Sequence, residues 1–457
     1  MNASTPTDPT AAPAPPIDRV LRPFQQFMHA ESSSGLLLLA CAAVALIWAN
    51  SDWAASYFHL WEQRVTIGGP GFGLSMSLHH WINDGLMVVF FVFVGLEIKR
   101  EFLVGELSTA KKAALPIAGA LGGVLLPATI YTAFNFGGPG QHGWGVPMAT
   151  DIAFALGVLA LAGDRVPTGL KIFLSALAIV DDLAAVVVIA VFYTADLNLM
   201  SLGLGAIVLA ALAGANAAGV RHPAVYALLG VVLWLTFLAS GVHPTIAGVL
   251  LAMTIPARTR VNADEFADRV DDTIREFRRA GMDADQTVLT NQAHQEAIHQ
   301  IENLCEAAQA PLLKIEDKLH VIVAFVIMPL FALANAGVTL PADLGGALTS
   351  PVTLGVILGL VLGKPIGITL IAWLAVRFHL AERPVGVTWG DLHGVAWLGG
   401  IGFTMSLFIG ALAFSEPDLL AGAKIGVLTA STIAGIIGSI ILRKRYSSSG
   451  SEARSTA

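Results

Sequence analysis

Residues 171–194 read KIFLSALAIVDDLAAVVVIAVFYT, a run long and apolar enough to cross a bilayer that nevertheless carries two adjacent carboxylates, Asp181 and Asp182, at its middle. A hydrocarbon core about 30 Å thick takes roughly 20 apolar residues of helix. An ionised Asp at that depth costs around 3 kcal/mol or more, so two in succession are there for function rather than packing. Adjacent helical positions point about 100° apart. One carboxylate can therefore face a water-filled cavity while its neighbour meets a partner on another span.

The rest of the chain agrees with a membrane setting. Of 457 residues, 55% are hydrophobic and 13% charged, against about 25% charged in soluble proteins, and the mean hydropathy is +0.70. Apolar segments fall at about 35–51, 80–98, 112–136, 146–161, 169–193, 201–219, 223–240, 243–256, 317–336, 351–374, 391–414 and 422–442. The expected fold is thus all-α and polytopic, with about twelve transmembrane helices. If the N-terminus starts in the cytoplasm and the helices alternate, every one of the 26 Lys and Arg except Arg64, Lys364 and Lys424 falls on the cytoplasmic side. That bias places both termini inside.

Around the spans, residues 1–30 are a Pro-, Ala- and Thr-rich stretch expected to be a disordered cytoplasmic tail, with no basic-then-apolar signal peptide. Residues 31–256 hold spans one to eight. An external hairpin is expected at about 52–79, where β-prone runs flank Gly-Gly-Pro-Gly. Residues 257–316 form a cytoplasmic insert whose helical spacing predicts an amphipathic helix leading into span nine. Spans nine to twelve occupy 317–442, and 443–457 is a cytoplasmic tail. Cys41 and Cys305 lie in segments of unlike character and suggest no disulfide.

Few polar residues lie within the spans. Asp84 heads the second span, as an intramembrane acid or a hydrated helix start. Glu97, Lys99, Arg100 and Glu101 end it, and on residues alone they read as an ordinary charged helix end. Asp151 follows Pro147 and Thr150 in the fourth segment, where proline breaks a helix. Its carboxylate suits either an ion or the positive end of the half-helix that follows. Lys364 sits mid-span before Pro365 and needs a buried partner. Pairing with Asp181, leaving Asp182 open to water, is the economical arrangement, but spacing alone does not choose between the two. The eleventh segment carries Gly399, Gly400, Gly402 and Thr404, so it too is interrupted.

The fourth and eleventh segments are the middles of helices 3–5 and 10–12, two triplets of opposite topology. Paired interrupted helices in inverted repeats mark the midplane site of a secondary transporter. Open carboxylates in a dry protein suit hard cations and protons alike. Where the two compete for one site, antiport follows. No Gly-x-x-x-x-Gly-Lys-Ser/Thr phosphate loop is present, so an ion gradient is the expected energy source. An intramembrane aspartyl protease needs two Asp on separate helices across one water, which the sequential pair and the midplane lysine oppose. A passive channel would show repeated acidic or carbonyl rings.

Seven stretches in order carry a resemblance: WINDGLMVVFFVFVGLEIKRE, ATDIAFALGVLALAG, LKIFLSALAIVDDLAAVVVIA, SGVHPTIAGV, PLFALANAGV, LGKPIGI and GIGFTMSLFI. They make the chain, from about residue 30 to 442, similar to the NhaA-type bacterial Na+/H+ antiporters. The resemblance implies that helices four and eleven unwind and cross near the midplane. It implies Asp182 as the principal carboxylate for cation and proton and Asp181 as its neighbour, the two forming the site for transported Na+. Lys364 is then the ion-pair partner, and Asp151 and Thr150 stand at the break in helix four. Glu97, Arg100, Glu101, Glu316 and His320 match a cytoplasmic pH-sensing cluster, which reverses the reading of the second helix's end, and His243 matches a histidine linked to pH response. Asp317 and the long insert depart from the pattern and bear on the pH profile.

The function so implied is electrogenic, pH-regulated exchange of Na+ or Li+ for protons, by a transporter rather than an enzyme and without a cofactor. The setting implied is the bacterial inner membrane. The expected partners are Na+, Li+, H+, the lipid bilayer and a second copy of the chain in a homodimer through the external hairpin, with no nucleic acid.

Overall fold

The computed structural model describes residues 31–69, 73–161, 163, 166–194, 197–280 and 291–455; the tail expected over 1–30 lies outside them. The chain begins with α1 (Glu31–Ala49) and α2 (Ala54–Glu62), bent by 113° from one another. Strands β1 (Arg64–Ile67) and β2 (Leu74–Ser77) follow, paired antiparallel with Arg64 opposite Ser77 and Ile67 opposite Leu74. This ribbon, exposed along β1 and half-buried along β2, stands on the head of α3 (Leu78–Val104), where the Trp81 indole donates to the Val65 carbonyl at 3.0 Å.

Helix α4 (Ala110–Asn135) leads to a 3₁₀ segment, Pro139–Met148, and α5 (Ile152–Leu161). Next come α6 (Thr168–Phe192), α7 (Leu199–Ala217), α8 (Pro223–Leu238) and α9 (Thr245–Thr254). The 257–316 insert holds α10 (Ala263–Arg279) and α11 (Gln292–Ala308), joined where Phe277 and His294 stack at 4.1 Å. Then follow α12 (Pro311–Asn335), the short α13 (Leu344–Thr349), α14 (Pro351–Arg377), α15 (Trp389–Gly399), α16 (Phe403–Ala413) and α17 (Pro417–Ser455).

Seven of these helices are long and apolar enough to cross a membrane, three bent pairs each qualify together, and α8 and α9 are shorter apolar helices. They correspond one for one with the twelve segments read from the sequence, and the protein is an all-α polytopic membrane protein. Three boundaries differ. The insert contains a further helix, α10, ahead of the predicted amphipathic run, and that run is split at Pro311, which starts α12 and lengthens span nine at its N-terminus. The last helix continues past residue 442 to Ser455. Span two carries on through the end predicted at 98 to Val104.

Two triplets form the centre of the fold: α4, the 3₁₀ segment with α5, and α6; then α14, α15 with α16, and α17. Each middle member is bent by 46° at its break, and each packs across the other. Helices α4 and α14 meet backbone to backbone: a Cβ built on Gly122 would strike the Gly367 carbonyl, and one built on Gly367 would strike that of Gly122. Widened π-helical turns occur at Trp81–Leu86, Val323–Ile327 and Gly359–Gly363. The last two immediately precede Met328-Pro329 and Lys364-Pro365. A proline ring collides with the carbonyl four residues back and offers no N–H, and a wide turn absorbs that misfit.

Candidate functional site

The site is built where the two breaks meet. Between Met148 and Ile152 the chain leaves the helix at Ala149, Thr150 and Asp151, and between Gly399 and Phe403 it does so at Gly400, Ile401 and Gly402. The links bond to each other: the Asp151 N–H donates to the Ile401 carbonyl at 2.7 Å. The crossing is tight, since a Cβ on Gly402 would lie 3.1 Å from the Ala149 carbonyl.

Four helix ends converge here. Asp151 Oδ1 accepts the Phe154 N–H at 3.0 Å in the first turn of α5. Its Oδ2 accepts the Thr404 N–H at 3.1 Å and the Thr404 hydroxyl at 2.5 Å at the start of α16. One carboxylate thus caps the two positive helix ends, satisfying N–H groups left without an intrahelical partner. Of the two roles the sequence leaves open for Asp151, the geometry displays this one. Lys364, fully buried, lies on the side of the opposing ends, where its ammonium donates to the Thr150 hydroxyl at 2.8 Å and pairs with Asp181 Oδ2. The Thr150 hydroxyl is also 2.7 Å from Asp181 Oδ2 and 2.8 Å from the Gly399 carbonyl. The wide turn at Gly359–Gly363 sets Lys364 facing α6 despite Pro365.

Spacing left the partner of Lys364 open; in the structure it is Asp181. Asp182, about 100° further around α6, points elsewhere. It is 1% exposed, and its Oδ1 is a buried oxygen without a hydrogen-bond partner. It lines a cavity of about 320 Å³ together with Glu97, Asp151, His320, Thr404 and Phe90. A buried carboxylate left unsatisfied is costly unless something cationic or protic joins it.

Glu97 and His320 share the Asp182 cavity, and His320 packs edge-on to Phe93 with ring centres 5.9 Å apart. Arg100 pairs with Glu316 at 3.0 Å and with Glu101 at 3.5 Å, linking α3 to α12. Those five residues therefore form one neighbourhood. Asp84 and His243 form another, 3.5 Å apart, with the His243 ring 5.5 Å from that of Phe408. Thirteen residues of helix, about 20 Å, separate Asp84 from Glu97. The residue that sequence reasoning left out of the site is Thr404, the second partner of Asp151. Its position just after a Gly-rich break is the signal that was available, because Thr favours the first turn and cap of a helix.

The sequence profile of the family "Na+/H+ antiporter 1" matches residues 25–442. The chain belongs to this family of NhaA-type antiporters. Its relatives include proteins named Na(+)/H(+) antiporter NhaA from Oleidesulfovibrio alaskensis, 51% identical over 435 residues (95% of this chain, 96% of that one). Another, from Koribacter versatilis, is 48% identical over 447 residues (97% and 96%). A third, from Acidithiobacillus ferrooxidans, is 50% identical over 426 residues (92% and 96%). Among solved structures, a sodium proton antiporter of Methanocaldococcus jannaschii aligns more loosely, at TM-score 0.47 and 12% identity over 94% of this chain and 95% of that one.

Proposed function

We propose that this member of the family exchanges Na+ or Li+ for protons across the bacterial inner membrane, with both termini in the cytoplasm. The observation that carries the reading is Asp182: a buried carboxylate inside the spans, its Oδ1 without a hydrogen-bond partner, on the wall of a cavity. In its anionic form it offers oxygen ligands to a desolvated cation, and a proton taken up there removes the ligand. Competition between Na+ and H+ for one group couples their fluxes. Asp181 is the second carboxylate of the Na+ site, held in reserve by Lys364 and Thr150. A cation that drew Asp181 away from Lys364 would leave the buried ammonium without its anion, so that Lys364 would release its proton along with the one displaced from Asp182; two protons would move per Na+ and exchange would be electrogenic. Asp151 keeps the two half-helix ends neutral through both steps.

Glu97, Arg100, Glu101, Glu316 and His320 line or adjoin the cavity mouth and set the pH range of activity, with His243 and Asp84 acting at the other end of α3. The β1–β2 ribbon is the contact of a homodimer. The test is dissipation of a preformed proton gradient in inside-out vesicles on adding NaCl, LiCl or KCl, with Asp182→Asn alongside. Collapse with Na+ and Li+ but not K+, absent in the variant, is expected. Exchange in Asp182→Asn equal to the parent's would remove Asp182 from the site.

A further inference from the structure

His393 lies in α15 and forms a hydrogen-bond chain with one consistent direction. The Trp397 indole N–H donates to His393 Nε2 at 3.1 Å, so Nε2 is an acceptor. The Thr369 hydroxyl gives its single proton to the Pro365 carbonyl at 2.7 Å. It is therefore the acceptor of the His393 Nδ1–H, 3.0 Å away. The ring is held as the neutral Nδ1–H tautomer between two helices. Thr369 and Pro365 belong to α14, where Pro365 directly follows Lys364; His393 and Trp397 belong to α15, which ends at Gly399.

The same two helices meet again at the site. A Cβ on Gly399 would lie 2.9 Å from Ile368 Cδ1, and Thr150 takes the Lys364 ammonium while lying 2.8 Å from the Gly399 carbonyl. His393 precedes Gly399 by six residues, about 9 Å along the axis. A slip of α15 against α14 at His393 would be transmitted along a rigid half-helix to that carbonyl. Interhelical polar contacts of this kind are what fixes helix register in a bilayer, where the hydrophobic effect does not distinguish one apolar face from another.

We propose that His393 is a positioning residue for the ion site: through Thr369 it registers α15 on α14, so that the Gly399 carbonyl and the Lys364 ammonium both reach Thr150. This rests on the reading of Thr150, Asp181, Asp182 and Lys364 as the ion site.

The experiment uses the full-length protein in proteoliposomes at one fixed pH, with the KM for Na+, the maximal rate and the melting midpoint measured together. The variants are His393→Leu, His393→Gln, His393→Asn, Thr369→Val and Asp182→Asn. Asn puts an amide N–H close to where Nδ1–H stood and keeps the link to Thr369; Gln and Leu lose it, as does Thr369→Val from the other side. The three that break the link should raise the KM for Na+ about three- to tenfold, the range set by one interhelical hydrogen bond. Their maximal rate should stay at the parent's value and their melting midpoint should fall by no more than a few degrees, the cost of one interhelical hydrogen bond, and Asn should bring KM back to within about twofold. A parental KM in His393→Leu and Thr369→Val overturns the proposal. So does equal impairment of Asn and Leu, or a loss of rate that merely follows a loss of stability. If His393→Leu does not fold, Thr369→Val decides alone. Parental exchange in Asp182→Asn would instead sink the ion-site reading, and is read separately.

Discussion

The Lys364–Asp181 pair gives the most direct energetic test of the site. Both side chains are 0% exposed. Removing the ammonium leaves Asp181 Oδ2 with the Thr150 hydroxyl alone, while Oδ1 already lacks a partner. Stranding one member of a buried pair costs about 3–5 kcal/mol. At roughly 2–4 °C per kcal/mol for a chain of a few hundred residues, that is a fall of about 6–20 °C in the melting midpoint. Lys364→Met isolates the charge, because it keeps most of the buried stem. Lys364→Ala adds the cost of a cavity beside Gly123, where a Cβ on the glycine would touch the lysine Cδ at 3.4 Å. The assay is survival of the monodisperse peak of detergent-solubilised protein after heating. Pairing Lys364→Met with Asp181→Asn should restore at least half of the lost stability, since position 181 then carries no stranded charge. A parental midpoint in Lys364→Met, or a double variant no better than the single, would refute the pairing as the source of stability.

Other expectations follow from neighbouring geometry. Asp151→Ala removes the cap from two helices at once and should cost about 1–4 kcal/mol in stability, roughly twice the loss in Thr404→Val, as thermal melts of the two would show. Gly367→Ala should abolish folded protein in membranes, because the added carbon meets the Gly122 carbonyl, whereas Gly203→Ala, with open space around it, should express like the parent; equal yields would remove the close approach of α4 and α14. Arg100→Ala, which cuts the 3.0 Å link to Glu316, should displace the pH profile of exchange while leaving the KM for Na+ at the optimum within about twofold, since Asp182 is untouched. An unchanged profile would take Arg100 out of pH sensing.

The spans were legible because membrane helices announce themselves by length and apolarity, and the breaks because Pro147 with Thr150 and Asp151, and the Gly399–Gly402 run, weaken the middle segments of two opposite triplets. Proline alone does not decide it, since Pro116 and Pro127 lie inside α4. What spacing left undecided was relative rotation. Helical phase separates Asp181 from Asp182, but which of them meets Lys364 depends on how α6 and α14 are turned about their axes, and that is set by packing at Gly119, Gly123 and Gly367. Thr404 was read only as part of the interruption in the eleventh segment, because a threonine in an apolar segment is chemically ordinary until its backbone N–H is seen to need an acceptor. The tie between His393 and Thr369 was equally hidden, since the two helices are joined by a loop that carries no information about register. In the insert, Pro311 was in plain view as a helix start, but the amphipathic spacing runs on across it.

The wide turn ahead of Lys364 amounts to one surplus residue stored in span ten. A chain shorter by one residue here would run as continuous α-helix with the ammonium unmoved. A chain of the same length whose turn tightened to regular α geometry would carry Lys364 about 100° around the axis and about 1.5 Å along it, out of reach of Asp181. The turn that accommodates Pro365 is thus also a ratchet position, in which a local change of winding, without any bend of the helix, would exchange the partner that the lysine faces.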